Sequence, residues 1–146
     1  MRKRLLGLLG GLAMLASVPA TADEQKQLVT IVTSANAQTQ LMAMVLTMQA
    51  VKQGAAAHIL LCGDAGDLAL KDAPAAVTGQ QKPKGMSPQG LMGKIMANTD
   101  TKVEVCAIYL PNKGVDTSAL LDGITVAKPD AMAGRLMADD TRIMSF

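Results

Sequence analysis

Apolar and polar positions follow two different periods along the chain, which predicts strands interleaved with helices. The segments 28–33 and 57–61 are nearly continuous apolar runs, the first rich in β-branched residues, as is typical of strands buried on both faces. Between them, positions 37–53 carry apolar residues at the i, i+3, i+4, i+7 spacing of an amphipathic helix, and Gly54 follows as its stop. A helix between two such strands favours parallel pairing.

The second half of the chain continues this alternation. It is predicted to contain strands at 102–110, 124–127 and 141–146, and helices that begin at Ser87-Pro88, at 116–117 and at Pro129. Five strands separated by helices predict a small doubly wound α/β fold, with a mostly parallel five-stranded sheet and helices on both faces. In the usual order of such a sheet, the first strand lies between the second and the third. The segment 71–86, which holds two prolines, two glycines and three lysines, is predicted to be a mobile surface loop.

The first 22 residues have the form of a secretory signal peptide. Basic residues at positions 2–4 precede an apolar run at 5–18, which is shorter than the roughly 20 residues that a membrane-spanning helix needs. Ala20-Thr21-Ala22 has the small-x-small form of a cleavage site. We therefore expect cleavage after Ala22, export to the periplasm, and a single mature domain at 23–146 without stable membrane insertion.

Composition and charge narrow the possible partners. Without its signal, which holds three of the 14 Lys+Arg, the chain carries 11 basic residues against 12 Asp+Glu. Near-equal numbers of basic and acidic residues leave no excess of positive charge to attract nucleic acid. An aromatic content of 1% provides too few aromatic side chains for bases to stack on. After the first strand, Ser34-Ala35-Asn36 replaces the glycine-rich turn that binds a nucleotide phosphate, so no cofactor is expected. Ser34 and Asn36 are helix-capping residue types that could also place hydrogen-bond donors at the end of the first strand.

Cys62 and Cys106 are the strongest candidates for chemistry, because both lie at or near the carboxyl ends of predicted strands. The simplest role for either is that of a small buried hydrophobe. If the first strand separated them, their backbones would start on the order of 10 Å apart. A disulfide needs Cα atoms within about 7 Å, so two free thiols are expected. One His, His58, with two distant cysteines cannot form a zinc site, so no metal is expected either.

The predicted elements run from the first strand to the strand that holds Cys106, and Lys113-Gly114-Val115 follows that cysteine. In this order and motif the chain resembles the DsrE/DsrF-like family of sulfur-relay proteins, which includes TusD-type subunits of tRNA thiolation systems. The resemblance covers essentially the whole mature region. It implies a five-stranded flavodoxin-like sheet, trimers or hexamers, and a Cys106 persulfide received from, and passed to, a partner protein or small thiol. Lys113 would either supply positive potential to the Cys106 thiolate or be a solvated turn lysine, and Gly114 would serve the geometry of the turn.

The leading hypothesis is therefore an exported sulfurtransferase or sulfur carrier that uses Cys106 in sulfur-compound metabolism. One alternative is a non-enzymatic oligomeric binding or assembly module in which Cys106 is buried and inert. Another is a periplasmic Cu(I) binder that combines Cys106 with Cys62 or methionine, since thioether and thiolate ligands suit this metal. Nine methionines lie beyond the signal, but with so few aromatic residues they more simply fill the core.

Overall fold

The computed structural model describes residues 25–146, so the predicted signal peptide lies outside the described residues. This part of the chain forms the strands β1 Gln27–Val32, β2 Ala56–Leu61, β3 Lys102–Val105, β4 Thr125–Val126 and β5 Thr141–Ser145. Its α-helices are α1 Ala37–Lys52, α2 Ala75–Thr78, α3 Pro88–Asn98, α4 Tyr109–Lys113 and α5 Pro129–Leu136. Two 3₁₀ helices, Gly63–Ala69 and Thr117–Ala119, follow β2 and α4. None of the helices in residues 25–146 has the length and apolar character needed to cross a bilayer.

The strands form one parallel sheet in the order β4-β3-β2-β1-β5. The predicted α/β class and five-stranded parallel sheet are confirmed. The predicted place of the first strand is wrong, because Leu61 of β2 pairs with Val32 of β1 on one side and with Val105 of β3 on the other. Strands β2, β3 and β4 are added one after another on one side of β1, and β5 pairs with the other side of β1. The carboxyl ends of β2 and β3 are consequently neighbours.

Each face of the sheet carries its own apolar cluster. The larger cluster lies under α1 and α3, and its fully buried members include Met44, Ile59, Leu61, Met92 and Ile95. The smaller cluster lies under α5 and consists of Val29, Leu60, Ala127 and Met132. Each buried Val, Leu, Ile or Met side chain of these clusters contributes about 1.5–3 kcal/mol through its removal from water. Helices therefore cover both faces as predicted. Met44, Met92 and Met132 are buried in the core as expected, whereas Met42 and Met137 are exposed.

The third strand ends earlier than its apolar pattern suggests. It stops at Val105 rather than at position 110, and the chain turns through Cys106 into α4. Tyr109 and Leu110 are apolar enough to extend a strand, but they are buried against the larger cluster from a helical turn instead. Gly114 ends α4 with a φ of 74°, a left-handed conformation that favours glycine.

The segment 71–86 has more structure than a plain loop. It contains α2, whose Val77 is buried in the larger cluster. It ends in a turn that is closed by a hydrogen bond of 2.9 Å from the N–H of Gln81 to the carbonyl of Met86. The mobility of this segment stays a prediction.

Candidate functional site at the carboxyl edge of the sheet

The two cysteines form a disulfide where β2 and β3 end. Cys62 and Cys106 directly follow Leu61 and Val105, which are paired in register, and their Cα atoms are 5.1 Å apart. This separation lies within the range that a disulfide requires. The expectation of two free thiols is therefore wrong. Its error is the assumed strand order, since no strand lies between the two cysteines.

The disulfide lies on the α5 face of the sheet, with both residues partly buried. The sheet hydrogen bonding continues through it: the N–H of Cys62 donates to Val32 at 2.9 Å, and the N–H of Cys106 donates to Leu61 at 2.8 Å. Both cysteines also contact the smaller apolar cluster. Their backbones are thus held by the sheet, and both residues retain some contact with solvent.

A cleft of about 380 Å³ is lined by residues that follow the two cysteines along the chain. Gly63 and Asp64, which follow Cys62, line one side, and Ile108 and Tyr109, which follow Cys106, line the other. Ile108 is 72% exposed at its rim. The cleft thus adjoins the chain segments that follow both cysteines, although neither cysteine is among its lining residues.

A hydrogen-bonded group of three side chains lines this cleft. The Tyr109 hydroxyl donates to Oδ1 of Asp67 at 2.5 Å, and the Lys113 ammonium donates to the same oxygen at 2.6 Å. Burial acts to raise the pKa of the Asp67 carboxyl, but the hydrogen bonds from Lys113 and Tyr109 outweigh it and lower that pKa. Burial and the Asp67 carboxylate together hold the pKa of Tyr109 well above its usual range. Asp67 is therefore ionised and Tyr109 protonated at neutral pH.

The structure places the remaining predicted site residues in supporting positions. Lys113 lies in the cleft, but its charge is engaged by Asp67, so its action on a Cys106 thiolate stays a prediction. Asn36 caps α1, since its Oδ1 accepts two backbone N–H bonds of 3.0 Å, and the Ser34 hydroxyl accepts the N–H of Asn36 at 3.1 Å. Such a cap contributes about 1 kcal/mol to stability. Gly114 ends α4 in a left-handed backbone conformation, which agrees with the role in turn geometry predicted for it.

Asp67 and Tyr109 are site residues that the sequence pattern did not reveal. Tyr109 is the only tyrosine of the chain and lies three residues after Cys106, which was a usable signal. Asp67 lies in the segment after Cys62, and only the folded chain shows its partners. Within residues 25–146, no group of three or more His, Cys, Asp or Glu residues could hold a metal ion.

Fold and site together define a small α/β protein with a parallel five-stranded sheet and a cysteine pair at the carboxyl edge of that sheet. Two solved structures share this fold. The crystal structure of the ychN protein from E. coli superposes with a TM-score of 0.63 at 20% identity, covering 84% of this chain and 99% of that one. The structure of MTH1491 from Methanobacterium thermoautotrophicum, a protein of unknown function, superposes with a TM-score of 0.61 at 10% identity, covering 84% and 100%. No family model and no curated protein matches the sequence. At these identities the structural similarity establishes the fold.

Proposed function

We propose that this protein is an exported, oligomeric sulfur carrier that holds sulfane sulfur on Cys106, with Cys62 as the thiol that resolves the persulfide. The observation that carries the proposal is the juxtaposition of Cys62 and Cys106, both only partly buried, at the ends of neighbouring parallel strands. The resemblance of the sequence to the sulfur-relay family supports Cys106 as the carrying residue. The shared fold alone does not assign an activity.

Loading begins from the reduced pair. A partner dithiol opens the Cys62–Cys106 disulfide and is itself oxidised to a disulfide, which is ordinary thiol exchange. The Cys106 thiolate then attacks the outer sulfur of a donor persulfide. The sulfur–sulfur bond of the donor breaks, the donor leaves as a thiolate, and Cys106 becomes a persulfide. No metal or organic cofactor is needed for this transfer.

The sulfur can leave by two routes that differ in the fate of Cys62. An acceptor thiolate can attack the outer sulfur, which regenerates the Cys106 thiolate and makes a persulfide on the acceptor. Alternatively, the Cys62 thiolate attacks the inner sulfur, Sγ of Cys106, which restores the disulfide and releases hydrosulfide. In the second route the two cysteine sulfurs are oxidised and the sulfane sulfur is reduced, so the electrons balance. The nearness of Cys62 makes this release available whenever no acceptor is present.

Polysulfide loading tests the proposal. The Cys62→Ser variant, reduced and then mixed with polysulfide, should gain the mass of one sulfur atom on Cys106, because it lacks the thiol that would displace that sulfur. The reduced wild-type protein should instead return to the disulfide form and release sulfide. Intact-protein mass spectrometry and a sulfide assay measure the two outcomes.

The Cys106→Ser variant is the matched control, since it removes one sulfur atom from the same pair. It should show no gain of mass that a reductant reverses. If it gains sulfur as readily as Cys62→Ser, the assignment to Cys106 is wrong. If the folded Cys62→Ser protein stays unmodified and reacts only after denaturation, the carrier function is rejected.

Export is the second part of the proposal. When the full chain is expressed in a Gram-negative host, the protein in the periplasmic fraction should begin at Asp23, because the predicted cleavage follows Ala22. N-terminal sequencing of that fraction measures this. The family resemblance further implies that the purified protein sediments as a trimer or hexamer. An intact N-terminus retained with the cytoplasmic fraction would contradict export.

The disulfide also favours one competing function, that of a binding or assembly module in which the bond is purely structural. It joins two strand ends whose backbones are already hydrogen-bonded, as a stabilising crosslink would. In that case the folded protein should resist reduction by glutathione, whereas a carrier must open while folded. A Cu(I) site through Cys106 would likewise require the bond to open first, because thiolates are the ligands.

A further inference from the structure

A second cleft lies on the α5 face of the sheet, toward the amino ends of the strands that carry the cysteines. It has a volume of about 340 Å³ and lies between α5 and the strands β2, β3 and β4. Its floor includes the apolar side chain of Met132. Its polar and charged lining residues are His58, Lys102, Glu104, Thr125, Lys128 and Arg135.

The charges of this cleft do not balance. Its single carboxylate, Glu104, is engaged by two neighbours: Nε2 of His58 lies 2.6 Å from Oε2, and the Thr125 hydroxyl donates to Oε1 at 3.3 Å. Across residues 25–146, the ion pairs within 4.0 Å are His58–Glu104, Lys71–Asp122 and Lys113–Asp67. The three cationic side chains of the cleft therefore have no carboxylate partner in the described part of the chain. With His58 neutral, the cleft carries an excess of two positive charges.

We propose that this cleft binds a small dianionic oxyanion of the sulfate, thiosulfate or phosphate class, held by Lys102, Lys128 and Arg135. The lining has two positive charges beyond its single carboxylate, and one dianion would match them. Lys102 reaches the cleft from β3, whereas Lys128, the N-cap residue of α5, and Arg135, in the last turn of α5, reach it from the two ends of that helix. Charge-assisted hydrogen bonds from such groups are the usual means of holding oxyanions. The site is separate from the disulfide and does not depend on sulfur carriage.

His58 gives the cleft a built-in reporter, because it is the only histidine of the chain and is buried there. Burial lowers the pKa of its imidazole, and the positive charges of Arg135 and Lys102 lower it further, while Glu104 acts in the opposite direction. Lys128 lines the same cleft, and on the β1 side the neighbour of His58 is Val29, which does not titrate. A bound dianion would offset the field of the cations, so it should raise the pKa of His58. By linkage, the anion should bind more tightly as pH falls through the interval between the free and bound pKa values.

Sulfate is the probe of choice, because it stays dianionic over the pH range in which histidine titrates. The His58 imidazole is followed by NMR in the disulfide-bonded protein, with sulfate and with chloride at equal ionic strength. We expect sulfate to raise the pKa of His58 and to show saturable binding. Parallel titrations with thiosulfate and phosphate then identify which oxyanion binds best. Equal His58 titration curves in sulfate and chloride would overturn the proposal.

Arg135→Gln should weaken sulfate binding by about tenfold, because it removes one charge-assisted contact. The matched control is Arg142→Gln on β5, which removes the same charge outside the cleft and should leave sulfate affinity unchanged. Lys128→Gln is a second test at an exposed position, and it should weaken binding in the same way. Equal affinity in all three variants and the wild type would show that the cleft is not the anion site.

Discussion

Reducing the Cys62–Cys106 disulfide is expected to lower the free energy of unfolding by about 3–4 kcal/mol. The bond joins residues 44 positions apart, and opening it restores the conformational freedom of that loop in the unfolded chain. Urea denaturation with and without a dithiol reductant measures the difference. For a domain whose total stability is about 5–15 kcal/mol, such a loss is large, but a carrier must remain folded after it.

A variant with both cysteines replaced by alanine provides the control, because its stability should not respond to reductant. A loss below about 1 kcal/mol on reduction of the wild-type protein would contradict the entropic argument. The same experiment bears on function. If the reduced protein unfolds at ambient temperature, no folded state with a free Cys106 exists to carry sulfur, and the structural-crosslink alternative is favoured.

Gly66→Ala is expected to destabilise the protein by about 2–3 kcal/mol, because the added methyl group has no room. A Cβ at this position would overlap the ring of Tyr109, which lies directly against the Gly66 backbone. The ring would have to move, and with it the hydroxyl that is bonded to Asp67. Denaturation followed by the fluorescence of the single tyrosine measures the change, since the chain has no tryptophan to mask it.

Gly93→Ala is the matched control, since it makes the same substitution within α3, where a Cβ would contact nothing within 4 Å. It should stabilise the protein by up to about 1 kcal/mol, because alanine favours the helix more than glycine does. Similar effects of the two substitutions would show that the contact between Gly66 and Tyr109 is not tightly packed. A destabilised Gly66→Ala protein with an unchanged tyrosine environment would point to the same conclusion.

The elements that the sequence predicted correctly are those whose signals are local. The amphipathic spacing and the capping residue Asn36 predicted a helix at 37–53, which differs from α1 only by one residue at its C-terminal end. The Ser87-Pro88 pair predicted the start of α3 correctly. These signals act over one or two helical turns, so they do not depend on the rest of the fold. At 107–110, by contrast, the apolar residues are compatible with a strand or with a buried helical turn. The structure has the helical turn, in which the ring of Tyr109 packs against Gly66.

The candidate site was predicted in part. Cys62 was predicted to follow a strand, as it does, whereas Cys106 was predicted in the later part of a strand that ends just before it. Lys113 does line the cleft next to these segments. The pairing of the two cysteines was missed because the strand order of a parallel sheet depends on which helix crosses to which edge. Asp67 was missed for a related reason, since its partners Tyr109 and Lys113 are more than 40 positions away along the chain.

The amino-acid sequence by itself determined the α/β class, the alternation of the five strands with the longer helices, and two cysteines at or near strand ends, because periodicity and capping depend on neighbouring residues. Tertiary structure alone decided that β2 lies beside β3, and this joins the two thiols as a disulfide. It also gathered Lys102, Lys128 and Arg135 around one cleft without a matching set of carboxylates. The physical reason is that both arrangements depend on packing between segments far apart in the chain, which no local pattern encodes.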